Sequence, residues 1–247
     1  MDQANPNSPA PRVIERAAGL FIVATPIGNL GDITLRALET LRSADLIACE
    51  DTRHSQRLLQ HYQIEKPLIS LNEHNEARRT SELIERIQAG ALVALVSDAG
   101  MPTVSDPGQR LTHAVIVAGL RVEVIPGPSA VLTALAGSGL PTAPFYFGGF
   151  LPHKKGQRAR ELSAARERDC TSLYFESPYR LQDTLDIICE VAPEHWHVVA
   201  RELTKHFEEY QRGSARQLAE HFRAKTIKGE ICLIVAPKDL PKWFKQG

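Results

Sequence analysis

The chain has 247 residues, 43% of them apolar and 23% charged, with Lys plus Arg equal to Asp plus Glu at 29 each. That length suits one large or two modest globular domains with a sizeable core. The zero net charge excludes a global basic field for nucleic acid, so any RNA or DNA contact must be local.

Residues 1–18 hold three Pro and no apolar run, and read as a disordered tail with neither a signal peptide nor a membrane span. No later run approaches the roughly 20 apolar residues of a membrane helix. From Gly19 the spacing predicts an alternation of strands at 20–24, 45–49, 67–71, 91–96 and 121–125 with helices at 33–43, 52–62, 76–88, 109–118 and 129–136. Continuous apolar runs alternating with a 3.6 period mark βαβ units around a parallel sheet, so 19–136 reads as a doubly wound α/β domain. Residues 137–144 read as a linker. The remainder, 145–247, reads as a smaller mixed α+β domain, with strands at 145–150, 171–175, 196–201 and 230–236 and helices at 156–168, 178–191 and 214–223. Residues 206–211 either pair with the last strand or form a loop. Cys49, Cys170, Cys189 and Cys232 are widely spaced without a Cys-x-x-Cys, and read as reduced thiols of a cytoplasmic protein.

Three strands of the first domain run into loops dense in Pro, Gly and Asp. These are Thr25-Pro26-Ile27-Gly28-Asn29-Leu30-Gly31-Asp32, Ser97-Asp98-Ala99-Gly100-Met101-Pro102 followed by Ser105-Asp106-Pro107-Gly108, and Pro126-Gly127-Pro128-Ser129-Ala130. Ligands of parallel sheets sit at the carboxyl ends of the strands, so the loops suggest a site built from backbone, with plain structural turns as the alternative. Neither GxGxxG nor GxxxxGK[ST] is present, and Gly137-Ser138-Gly139 lacks a third Gly and runs toward Pro141. That argues against NAD and ATP. It leaves room for a nucleoside without phosphates, of which S-adenosylmethionine is the obvious one.

These loops occur together with Glu50-Asp51-Thr52-Arg53, Ser70-Leu71-Asn72-Glu73-His74-Asn75-Glu76, Gly149-Phe150-Leu151-Pro152, Phe175-Glu176-Ser177-Pro178-Tyr179-Arg180 and Arg201-Glu202-Leu203-Thr204-Lys205. In order, and without large gaps over about 19–236, they resemble the ribosomal RNA branch of the tetrapyrrole-methylase-like superfamily, the small-subunit cytidine-2′-O-methyltransferases. The resemblance implies the tetrapyrrole-methylase fold, S-adenosylmethionine in a cleft between the two domains, no metal, a homodimer, and 16S ribosomal RNA of the small subunit as substrate. It places Pro26, Asp98, Ala99, Gly100, Met101, Ser129 and Ala130 around the cofactor from the first domain, and Glu176, Ser177, Gly229 and Glu230 from the second. Asp98 suits a ribose hydroxyl or the methionine ammonium group, or else caps a turn. Members of the family commonly continue for several tens of residues past the last strand, where this sequence stops at Gly247.

Methyl transfer from a sulfonium to a ribose 2′-hydroxyl needs alignment and an acceptor for the hydroxyl proton. His74, Glu73, Glu50, Asp51 and Lys205 are the candidates, His74 first because its reference pKa is about 6.5. Glu50 and Asp51 also suit a helix N-terminus. Arg53, Arg180, Arg201 and Lys205 follow strand ends and suit phosphate contacts. Lys154, Lys155 and Arg158, in the acid-free run 153–160, read as an RNA-facing strip, against the plain alternative of a solvated helix face. His195-Trp196-His197 reads as structural, since no metal-binding spacing accompanies it. The rival readings are a precorrin-type tetrapyrrole methylase and a non-catalytic binding protein of the same fold.

Overall fold

The chain divides by its own contacts into two units, one comprising the chain up to Thr25 with Asp32–Gly127, the other Pro26–Gly31 with everything from Pro128 onward. The computed structural model describes residues 17–242 and 244, so nearly all of the expected N-terminal tail lies outside the described residues.

In the first unit, β1 (Gly19–Val23), β2 (Leu46–Cys49), β3 (Leu68–Ser70), β4 (Leu92–Val96) and β5 (Val122–Ile125) form a parallel sheet in the order β3-β2-β4-β1-β5. Parallel neighbours need crossovers, and α1 (Leu35–Ser43), α2 (Thr52–His61), α3 (Glu76–Gln88) and α4 (Gln109–Val117) supply them. Strand side chains alternate between the faces. Phe21 and Val23 join Leu38, Leu41 and Leu59 of α1 and α2, whereas Leu20 and Ile22 join Leu83, Ile87, Leu111 and Val115 of α3 and α4. Burial on both faces is why these strands read as unbroken apolar runs. The chain leaves β1 toward β2 and leaves β4 toward β5, on opposite sides, so the carboxyl ends of adjacent β1 and β4 form a topological switch point.

The second unit holds α5 (Ala130–Ser138), β6 (Phe145–Phe150), α6 (Lys155–Arg166), β7 (Thr171–Glu176), α7 (Leu181–Val191), β8 (Trp196–Arg201), β9 (Glu209–Ser214), α8 (Ala215–Arg223) and β10 (Ile231–Val235). Its sheet also has five strands, in the order β6-β7-β10-β8-β9, with β6 and β7 parallel and the other pairs antiparallel. Leu162 of α6, Leu185 of α7 and Leu218 and Phe222 of α8 pack with Tyr174 and Leu233 on one face. On β10, Cys232 points the other way and its thiol approaches the Ala130 carbonyl of α5. Gly148 interrupts β6 because a Cβ there would lie 2.3 Å from Tyr174 Cε1.

Two expectations change. The segment expected to pair with the last strand or form a loop is β9, and it pairs with β8. The connection after β8 is short and self-bonded, Lys205 N donating to Glu202 O and Glu208 N to Lys205 O, so the chain folds straight back on its predecessor. The linker expected at 137–144 also loses its first two residues to α5, which groups with the second unit. Arg212 donates to the Gly137 and Ser138 carbonyls and Gly139 takes the left-handed conformation at φ 78°, so the helix end is satisfied there.

Candidate functional site

In the first unit the loops at the switch point are tied to each other. Thr25 N donates to Gly100 O at 2.9 Å, Gly100 N to Thr25 O at 3.1 Å, and Thr25 Oγ1 to Ser97 O at 3.1 Å. The loop continues with two non-glycine residues in the left-handed region, Thr103 at φ 74° and Ser105 at φ 67°. Each costs about 1 kcal/mol or more, and strain of this kind gathers at sites the surrounding structure over-determines. Glu76 helps to hold it. Gly108 at the N-cap of α4 has no side chain to cap the helix, and Glu76 Oε1 accepts instead from Gly108 N and Arg110 N, both at 3.0 Å. Glu76→Ala should therefore lower stability by roughly 1–3 kcal/mol, read as a shift of the urea midpoint at constant m-value. A change under about 0.5 kcal/mol would remove the capping role.

Asp98 stands half-buried at the end of β4, and its Oδ1 accepts from Asp51 N at 3.2 Å. Its other carboxylate oxygen has no hydrogen-bond partner among the described residues. One strand away, Glu50 is half-buried and its carboxylate makes no hydrogen bond or ion pair among the described residues. Burial pushes its pKa above the usual glutamate range, and the charges of Asp98, Asp106, Glu73 and Asp51 push it further. Asp106 is raised too, first by burial. Asp51 behaves in the opposite way. It caps α2, accepting from Arg53 N at 2.8 Å, and takes a bidentate bond from the Arg53 guanidinium at 3.1 and 2.7 Å. Those bonds hold its carboxyl far below the usual range, which disqualifies it as a proton acceptor. The same pair gives Arg53 a partner other than phosphate. His74 and Glu73 are exposed, and the His74 backbone N–H donates to Asn72 Oδ1.

In the second unit Lys205 is likewise removed as a base. Its Nζ donates to Glu202 and Glu230, both at 2.8 Å. Burial works to lower its pKa, but the two carboxylates outweigh burial and hold the ammonium charged. The Pro26–Gly31 loop groups with this unit, and a Cβ on Gly28 would fall 2.4 Å from Lys205 Cγ. Pro26 is buried. Ser129 caps α5 through Leu132 N, so it and Ala130 also belong to the second unit rather than the first. Glu176, expected beside the cofactor, is buried with its carboxylate committed to partners within its own unit. It accepts from Ser177 N and Thr184 Oγ1, both at 2.7 Å, and pairs with Arg180. Gly229 takes φ 89°, and Glu230 N donates to Glu202 Oε1.

The cations expected to meet phosphate separate into two groups. Lys154 and Lys155 are exposed at the start of α6. Arg158 is only 4% exposed and bonds the Pro152 and His153 carbonyls, Arg180 is committed to Glu176, and Arg201 to Glu209. A helical period explains Arg158: it lies four residues before Leu162 and seven before Ala165, on the face that buries them. Sequence reasoning missed the cluster around Glu209, which accepts from Arg201, His221 and Lys225. Burial opposes ionisation there, but the three donors bring its pKa down to about 2. Its members come from β8, β9 and α8 and the residues after it, so no local pattern announces them. Among the described residues no group of three or more His, Cys, Asp or Glu is arranged to hold a metal ion, and no helix is long and apolar enough to cross a membrane.

Residues 19–219 match the pattern of the family described as tetrapyrrole (corrin/porphyrin) methylases. Ribosomal RNA small subunit methyltransferase I of Mesorhizobium japonicum is 51% identical over 222 residues, covering 89% of this chain and 76% of that one. The protein of that name from Thermotoga maritima is 46% identical over 220 residues, covering 89% of this chain and 99% of that one. Among solved structures, diphthine synthase superposes with a TM-score of 0.73 at 19% identity, over 90% of this chain and 91% of that one. Uroporphyrin-III-C-methyltransferase from Thermus thermophilus gives 0.62 at 21% identity, over 91% and 100%. At such identities the two structures show a shared fold, while the two sequence relatives show closer kinship: the chain belongs to the tetrapyrrole methylase family and, within it, to the ribosomal RNA small subunit methyltransferase I family.

Proposed function

We propose that this methyltransferase moves a methyl group from S-adenosylmethionine to the 2′-oxygen of a cytidine in 16S ribosomal RNA of the small subunit. The observation that carries the chemistry is the half-buried, unpaired carboxylate of Glu50 one strand away from Asp98 at the carboxyl end of the first sheet. The family match supports the RNA substrate.

The residues present fit the cofactor. Asp98 offers a free oxygen to a ribose hydroxyl or an ammonium group, and the surrounding carboxylates of Glu50, Glu73 and Asp106 complement a cationic donor. When bound, S-adenosylmethionine supplies a methyl group already activated on sulfur. What is left to the protein is alignment and proton removal. Glu50 suits proton removal best, because a raised pKa makes a carboxylate a stronger base and nothing else occupies its lone pairs. This moves the assignment from His74, Asp51 and Lys205 to Glu50. The free thiols of Cys49, Cys170, Cys189 and Cys232 support a reducing, cytoplasmic setting, and the family resemblance supports a homodimer.

The test is transfer of tritiated methyl groups to isolated small subunits, with the labelled nucleotide identified after digestion. The expected product is 2′-O-methylcytidine. Label on a base atom would overturn the 2′-oxygen assignment. Label accepted by a tetrapyrrole and refused by ribosomal RNA would overturn the RNA reading.

A further inference from the structure

The carboxyl ends of the parallel strands β6 and β7 carry two loops, 151–154 and 177–180, and the first is held by the guanidinium groups of Arg158 and Arg180. Arg158 is 4% exposed. Its Nη1 donates to the carbonyls of Pro152 and His153, both at 3.3 Å, while its Nε is buried without a partner. It makes no ion pair among the described residues. Arg180 pairs with Glu176 and donates to Leu151 O at 3.3 Å, and its Nε and Nη1 are buried without partners. Glu176 thus serves Arg180, and Arg158 is left in the interior with carbonyl partners and no carboxylate among the described residues. A buried charge short of a counter-ion is costly, and an arriving anion relieves that cost.

The same loop opens into α6, a helix of 12 residues whose N-cap, Lys154, makes no side-chain cap. The first N–H groups of a helix have no internal acceptor and carry its positive dipole end. The first turn is uncrowded at Gly156, where a Cβ would meet nothing within 4 Å. Lys154 and Lys155 flank the opening, and the only acid near either is Glu190, 3.8 Å from Lys155 Nζ and itself exposed, among the described residues. The Arg158 guanidinium, without a carboxylate partner among the described residues, and the free first N–H groups of α6 both call for an anion. Beside it, Tyr179 on the second loop is 92% exposed. Phe150, 61% exposed, ends β6 against Phe175. Large aromatic rings left in water next to a phosphate-suited helix end match the needs of an unpaired nucleotide, whose base stacks and whose phosphate is held.

We infer that the ends of β6 and β7 form a subsite for single-stranded RNA, in which Lys154, Lys155 and the first N–H groups of α6 hold a phosphodiester and Tyr179 stacks on an unpaired base. Arg158 and Arg180 act as positioning residues that shape the loop, and the uncompensated charge of Arg158 leaves its field positive. The inference rests on the ribosomal RNA reading and names where that RNA is gripped.

The test measures binding of small ribosomal subunits, and of a short single-stranded RNA containing cytidine, across a salt series. The variants are K154A/K155A, Y179A and Y179F, with calorimetry against S-adenosylmethionine as a check of folding. K154A/K155A should weaken RNA binding about tenfold at low salt and reduce the log–log salt slope by about 0.7, as loss of one phosphate contact to a single strand requires. Y179A should weaken binding about tenfold without altering the slope, and Y179F should restore it. If both alanine variants bind RNA like the wild type while the wild type still methylates small subunits, the subsite is wrong and the functional reading stands. If the wild type methylates no ribosomal RNA, the functional reading fails and the subsite with it. If instead poly-glutamate binds and K154A/K155A abolishes that binding without affecting RNA, the surface belongs to an acidic protein partner.

Discussion

Glu50→Gln is expected to lower the rate of methyl transfer by about 10²–10⁴-fold while leaving affinity for S-adenosylmethionine within a fewfold of the wild type. The substitution keeps shape and removes only the ability to accept a proton. Burial, then Asp98, Asp106, Glu73 and Asp51, raises the Glu50 pKa, so the wild-type rate should climb with pH along a limb whose midpoint lies above the usual glutamate value of about 4.3. In Glu50→Gln that limb should disappear. His74→Ala should keep it, because His74 stands exposed outside the carboxylate group. If His74→Ala erases the limb and Glu50→Gln does not, the base is His74. The sign for stability is opposite to that for activity. A carboxylate whose folded pKa is raised binds its proton more tightly folded than unfolded, so its ionisation above that range costs stability. Glu50→Gln should therefore stabilise the fold at neutral pH, as expected where a site keeps a strained group for function.

The second large effect is on stability in acid. His197 is buried, with Nδ1 at 2.8 Å from the His195 carbonyl, and burial followed by the nearby His195 pushes its pKa down to about 3. The folded chain keeps this imidazole neutral while the unfolded chain protonates it near 6.5. More protons are bound unfolded throughout that window, so stability falls as pH falls below 6.5. From pH 6.5 to pH 4 this residue alone should remove roughly 3 kcal/mol. His195, lowered first by burial and then by Arg166, acts in the same direction. Urea midpoints measured across that range should show the loss, and His197→Gln should flatten it at some cost in stability at pH 7. An equal pH slope in the variant would show that His197 is not its source. Within the His195-Trp196-His197 string, His197 is the residue buried inside β8.

The sequence by itself determined the alternation of strands and helices, the parallel first sheet and the loops at its carboxyl edge. Local signals suffice there: strands buried on both faces must be continuously apolar, and helices covering them must repeat at 3.6 residues. It also determined the family, because ordered motifs survive in the chain whatever the packing. The edges of elements were legible only to within a few residues. The true end of α5 depends on Arg212, 74 residues away from Ser138, which satisfies the last carbonyls of that helix. The pairing of β9 with β8 was likewise a matter of which neighbour the returning chain met first.

Side-chain roles were the least legible, for one reason. A titratable group acquires its chemistry from what surrounds it, and those surroundings come from distant parts of the chain. Glu50 and Asp51 are neighbours with the same charge. Asp51 turns onto the N-terminus of α2 and is neutralised by Arg53, whereas Glu50 turns toward Asp98 and Asp106 and is left without a partner. Lys154 and Arg158 stand in one basic run, yet Lys154 is the exposed N-cap of α6 and Arg158 lies inside the helix on the face that buries Leu162 and Ala165. Sequence placed these residues at the right strand ends. Only the tertiary structure, by setting burial and partners across gaps of tens of residues, decided which of them are committed to partners within the fold and which are left without one.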